Sequence, residues 1–101
     1  MSDLSNYTMV RTYSAGVFAG KIEKREGKEV VLSNARRIWY WSGASSLSEL
    51  ATLGTSKPDE CKFPLPVVEV TLTEVIELIP MTNKAVESVY GVKNWTQHGD
   101  E

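Results

Sequence analysis

The chain has little with which to build a conventional reaction centre. It contains one histidine, His98, and one cysteine, Cys61. A single histidine rules out a histidine cluster for a metal and leaves a histidine-based triad without a partner set. A single cysteine rules out an internal disulfide and fits a reducing compartment. With no histidine near it in sequence, Cys61 reads as a small buried residue rather than a nucleophile. There is no glycine-rich phosphate loop of the Walker or dinucleotide type. There is no excess of one charge either: 11 basic and 13 acidic residues leave a net charge of −2. A broad nucleic-acid surface normally needs a basic excess, so extended nucleic acid is not expected as a partner. The longest apolar run, near Val75 to Met81, is broken by Glu77 and Pro80 and is too short to cross a membrane. The N-terminus is polar and acidic, without the charged-then-apolar pattern of a leader. These absences point to a cytosolic protein that is not an enzyme and holds no cofactor or metal.

What is present fits one domain over residues 1–101, with 1–6 and 96–101 as loosely ordered tails. The chain is 42% hydrophobic and 24% charged, ordinary for a globular protein of modest core. Tyr7 to Tyr13 and Val17 to Lys24 are rich in β-forming residues and predict two strands. Arg25-Glu26-Gly27-Lys28 predicts a hairpin turn, with Glu29 to Ser33 returning. Ser33-Asn34 predicts a further turn, and Arg36 to Trp41 the next strand. Ser46-Leu47-Ser48-Glu49 is a capping box that opens a short helix, and Gly54 is placed to end it. Thr55 to Pro66 carries three prolines and reads as a loop. Val67 to Pro80 is the longest extended run. It alternates through Leu72, then changes phase at Glu74, as a bulge or a short helix would. Thr82 to Tyr90 predicts a second short helix, and Trp95 anchors the end of the chain. The sum is a β-rich α+β domain. About five strands form one strongly bent antiparallel sheet or small open barrel, with one or two short helices.

The densest chemistry lies in Ala35-Arg36-Arg37-Ile38-Trp39-Tyr40-Trp41. Arginine forks grip phosphate or carboxylate, and flat rings stack on bases. In an extended strand Arg37, Trp39 and Trp41 share one face, with Arg36, Ile38 and Tyr40 on the other. Arg36 then contributes only across a subunit boundary. A plainer reading has the tryptophans filling the core and the arginines reaching solvent. Arg11, Tyr13 and Ser14 form a second arginine–aromatic set, and Ser14-Ala15-Gly16 lets backbone approach a ligand closely. Glu74 and Glu77 are candidates for acid–base work or for magnesium, but read more simply as a solvated face or as partners of Arg36 or Arg37.

Several strings resemble a family of small proteins of unknown function encoded by tailed bacteriophages. They are Val10 to Gly20, Ala35 to Trp41, Cys61-Lys62-Phe63-Pro64 and Thr73 to Pro80, within roughly residues 9–82. The resemblance implies a host-cell cytoplasmic setting and an accessory role, such as action against host defence. One such class comprises small β-rich sponges, homo-oligomers that trap cyclic ADP-ribose isomers or cyclic oligonucleotides (signals of Thoeris and CBASS systems) between subunits. Under that implication Arg36, Arg37, Trp39 and Trp41 form the site, and Arg11, Tyr13, Ser14, Gly16 and Phe18 line it. The alternative is an inhibitor that binds a host or defence protein through Trp39-Tyr40-Trp41.

Overall fold

A computed structural model describes residues 6–96 of the chain. The elements run β1 (Tyr7–Thr12), β2 (Val17–Glu26), β3 (Glu29–Arg37), α1 (Leu47–Leu53), a 3-10 turn at Pro58–Glu60, β4 (Val67–Leu72), β5 (Val75–Pro80) and α2 (Asn83–Gly91). All strand pairings are antiparallel, in the order β4-β3-β2-β1-β5. The fold is the expected β-rich α+β arrangement, with five strands in an open sheet and two helices. His98 and the rest of the C-terminal tail beyond Thr96 lie outside the described residues, as do residues 1–5 of the lead-in.

Alternation along the strands builds two apolar layers. Neighbours Met9 and Val10 are both fully buried, but on opposite faces of the sheet. Met9, Ala19 and Ile38 join Leu50 and Ala51 of α1, Phe63, and Ala85, Val86 and Val89 of α2. Val10, Phe18, Val30, Leu32, Ala35, Leu72 and Val75 form the second layer, drawn from all five strands and neither helix. That second layer needs no helix because the sheet bends over it. β4 and β5 are the two edges of the sheet, yet only Thr73 and Glu74 separate them. The Val75 amide donates to the Lys28 carbonyl at 3.0 Å, which ties the start of β5 to the tip of the β2–β3 hairpin. The phase change at Glu74 therefore marks a crossing from one sheet edge to the other. It is neither a bulge in one long strand nor the start of a helix.

A second correction concerns Ser33-Asn34. The pair does not turn the chain; β3 runs through it from Glu29 to Arg37. Lys21 pairs with Ser33 and Ala19 with Arg36, so Asn34 and Ala35 together oppose Gly20. This is a β-bulge, and Asn34 takes the left-handed backbone it requires, at φ 48°. The strand then stops at Arg37, where Arg36 to Trp41 was expected to be one strand. Tyr40 makes only an isolated bridge to Lys62.

Tyr90 of α2 locks the bulge from the helical side. Its hydroxyl lies 2.6 Å from the Asn34 carbonyl and 3.0 Å from that of Ala19. The Tyr7 ring packs edge-on against the Tyr90 ring, with centroids 5.4 Å apart. Burial raises the Tyr90 pKa above its ordinary value; Tyr7 adds to the rise and Arg36 opposes it. A folded state that holds this proton more tightly than the unfolded chain is stabilised below the unfolded value. It loses that stability as pH rises from about 10 through the raised folded value. The stability difference between the wild type and Tyr90→Phe should be flat near neutrality and decline only above about pH 10. Urea melts of both proteins from pH 7 to 11 check this.

The helices begin as their caps direct. Ser46 Oγ accepts from the Glu49 amide at 3.1 Å, and Thr82 Oγ1 accepts from the Ala85 amide at 3.0 Å. The Glu49 carboxylate turns to Ser45 rather than back to Ser46, accepting from the Ser45 amide at 2.9 Å and from its hydroxyl. α1 ends at Gly54, as expected, with φ 79°. A Cβ there would lie 2.4 Å from both Cβ and Oγ of Ser88 on α2. Gly54→Ala should therefore cost about 2 kcal/mol or more, from the left-handed backbone and the forced separation of the helices. A urea midpoint shift at unchanged slope is the expected readout.

Candidate ligand-binding site

The loop between β1 and β2 is held by Thr12. Its amide and its hydroxyl both donate to the Gly16 carbonyl, at 3.0 and 2.8 Å. The same hydroxyl oxygen accepts from the Ala15 amide at 2.9 Å. Gly16 closes the turn at φ 91°, a conformation that glycine reaches without strain. A Cβ on Gly16 would sit 3.4 Å from Arg37 Nη1, an ordinary contact, so the backbone angle rather than space calls for glycine here.

Arg37, the last residue of β3, lies beside this loop. Register pairs it with Phe18 on the neighbouring strand. The guanidinium carbon stacks 4.4 Å from the Phe18 ring centroid, and Nη1 donates to the Ala15 carbonyl at 2.5 Å. Arg37 is exposed, and Nε and Nη2 have no protein acceptor among the described residues. The charge is thus fixed in place by a ring beneath and a carbonyl at one end, with two donor nitrogens still available. Ser14, Ala15, Gly16, Val17, Arg37, Ile38 and Trp39 line one open pocket of about 280 Å³. Trp39 at its rim is 63% exposed. A fixed guanidinium, a short loop of small residues and an exposed indole suit a small anion carrying a flat ring.

The structure thus brings Ser14, Gly16, Arg37 and Trp39 together, with Phe18 as the buried support of Arg37. It does not bring the other expected residues to this pocket. Arg36 is 1% exposed and points into the helical side. Its Nε donates to the Pro64 carbonyl at 3.0 Å, Nη1 to the Val89 carbonyl at 2.9 Å, and Nη2 to the Phe63 carbonyl and Asn94 Oδ1, both at 3.0 Å. Burial lowers its pKa, with the nearby Tyr90 opposing the shift. Arg36 is a structural clasp and is removed from the ligand set, because none of its nitrogens reaches the surface unpaired. Trp41 is half-buried against the helical core, so it does not share an open face with Trp39. Arg11 is held on the surface by Glu77, Nε to Oε1 at 2.9 Å. Tyr13 is 76% exposed and lies outside the pocket lining.

Glu74 and Glu77 partner neither Arg36 nor Arg37. Glu74 accepts from the Ser14 hydroxyl at 3.1 Å, which steadies the loop, and Glu77 faces Arg11. Val17 and Ile38 also line the pocket without having been singled out in the sequence, and Ala15 lies in the small-residue stretch where backbone was expected to approach a ligand. Ala15 matters through its carbonyl, which residue identity does not reveal. Cys61 is buried, as expected, with Sγ 3.5 Å from the Ser42 carbonyl. Among the described residues no histidine, cysteine and carboxylate cluster can hold a metal. No described helix is long and apolar enough to cross a membrane.

Two other hollows lack the same combination. One of about 350 Å³ under the β2–β3 hairpin tip holds Arg25, Lys28 and Glu77 but no ring. One of about 270 Å³ sets Lys93 and Trp95 beside Asp59, whose carboxylate opposes an anion. There the Trp95 ring already has the Lys62 ammonium 5.7 Å from its centroid.

A family model described as a domain of unknown function (DUF6948) matches residues 5–89, and the chain belongs to that family. No curated protein and no solved structure matches it.

Proposed function

We propose, for this member of a family that carries no assigned activity, that the Arg37–Trp39 pocket binds a small nucleotide-derived ligand. The observation that carries the reading is the fixed guanidinium with two free nitrogens beside an exposed indole in one pocket. Arg37 takes a phosphate through Nε and Nη2, the pair that matches two oxygens in parallel. Trp39 stacks on the base, and Ser14 and Gly16 border the ligand. Among the site's residues no acid–base pair faces the pocket, so the reading is binding without turnover. In the phage setting that the sequence resemblance suggests, a protein of this kind sequesters a cyclic ADP-ribose isomer or a cyclic oligonucleotide. It thereby lowers an immune signal in the infected cell's cytoplasm. The pocket is shallow for a whole dinucleotide, which fits a homo-oligomer in which a second copy covers the ligand.

A thermal-shift screen against cyclic di- and trinucleotides, ADP-ribose, its cyclic isomers and NAD tests this. A ligand at about 100 times its dissociation constant stabilises the fold by roughly 2.7 kcal/mol. That corresponds to a rise in melting temperature of roughly ten degrees or more for a chain of this size. No shift with any of these ligands favours the second reading, a surface that inhibits a host or defence protein. The exposure of Tyr13, Trp39 and Tyr40, at 76%, 63% and 52%, is the observation behind it.

A further inference from the structure

Among the described strands, β4 leaves an outer edge that its side chains defend little. β4 pairs with β3 on one side and with no described strand on the other. Free edges are usually blunted by charge, by proline or by shortness. β4 carries one charge, Glu69, and its exposed residues include Val67 at 48% and Val68 at 88%.

Alternation places Val68, Val70 and Leu72 on the face that carries the strand-built core layer. Leu72 is buried in that layer and Val70 packs partly against it, while Val68 projects beyond it into solvent. Glu69 and Thr71 occupy the other face.

We infer that β4 pairs antiparallel with β4 of a second copy of this chain, about a twofold axis at Val70. In that register Val68 opposes the partner's Leu72, Val70 opposes the partner's Val70, and Glu69 opposes the partner's Thr71. The apolar row becomes continuous across the seam, and no like charges face each other. Other registers that keep the two apolar faces on one side do worse; centring on Thr71 sets Val68 against the partner's Glu74, beyond the end of β4. Centring on Glu69 sets two carboxylates opposite each other, at a direct cost. Centring on Val68 sets Val70 against the partner's Pro66, which has no amide hydrogen for the ladder. The strand's own sequence therefore selects both the partner and the register. The inference does not rest on what the Arg37 pocket holds.

Thr71 is exposed and tests the register directly. Thr71→Lys sets an ammonium opposite the partner's Glu69 twice per dimer, and Thr71→Glu sets a carboxylate there twice. Both substitutions change strand propensity in the same sense, so their difference isolates the pairing. Sedimentation equilibrium should show a wild-type dimer. Thr71→Lys should dimerise about tenfold more tightly than Thr71→Glu, the sum of two cross-strand charge pairs on each side. Circular dichroism and melting temperature confirm that both variants are folded. A wild type that stays monomeric at its highest soluble concentration, or equal dissociation constants for the two variants, overturns the proposal.

Discussion

Arg36→Met should be the most damaging single substitution in the sheet. The side chain is fully buried and spans three parts of the fold: β3, the Phe63–Pro64 segment and the last turn of α2. Removing the guanidinium breaks its bonds to the carbonyls of Phe63, Pro64 and Val89 and to the Asn94 side chain; Phe63 keeps the Trp95 amide as a donor, and Asn94 is exposed to water. Each hydrogen bond to a charged group is worth about 1.5–3 kcal/mol, and the two to Val89 and Phe63 are buried. Methionine fills part of the volume, so the loss is chiefly of hydrogen bonds. The positive charge also lies against the carbonyl end of α2, where a cation stabilises the helix. A total loss of about 3 kcal/mol or more lowers the melting temperature by about 12 degrees or more. A melting temperature within two or three degrees of the wild type would show that Arg36 is not the clasp described.

Its sequence neighbour should behave in the opposite way. Arg37→Ala should leave the fold nearly intact, because Arg37 is exposed and its only hydrogen bond among the described residues is to Ala15. The stacking of Arg37 on Phe18 at a surface position is worth about 0.5–1 kcal/mol. Binding should fall much further. Loss of a charge-assisted pair of hydrogen bonds to phosphate costs about 3 kcal/mol, or roughly a hundredfold in Kd. Trp39→Ala should cost about 1–3 kcal/mol of binding through lost stacking. Isothermal titration of both variants with the ligand found by the screen measures these losses, and thermal melts confirm folding. Adjacent arginines with reciprocal effects, one on stability and one on binding, would separate the two roles.

That division was not legible in the sequence. Composition marked the Arg-Arg and Trp-Tyr-Trp segment, and Arg37, Ile38 and Trp39 within it do line a pocket. Alternation correctly put Arg36 and Arg37 on opposite faces, but it gave no sign of which face is interior. That depends on how far β3 continues past the Asn34 bulge, and on α2 folding back over Arg36. Both are tertiary facts. Ser33-Asn34 looked like a turn because asparagine favours the left-handed backbone that turns need, and a bulge needs it too. The tryptophans were separated for a related reason. The strand stops at Arg37, so period-two counting no longer relates Trp39 to Trp41. The broad fold was easier to read. Strand alternation, the Gly27 turn, the Ser46 cap and the Gly54 stop are local signals, and local geometry obeys them here. The phase change at Glu74 was read as a disturbance within one element. Its cause was a crossing between sheet edges, which no local pattern encodes.

The measurement that bears most directly on the central claim is the ligand screen run in parallel on the wild type and Arg37→Ala. The account predicts a rise in melting temperature of roughly ten degrees with one class of nucleotide for the wild type, and none for the variant at the same concentration. An equal rise in both proteins, or none in the wild type with any nucleotide, would contradict the assignment of Arg37 and its pocket.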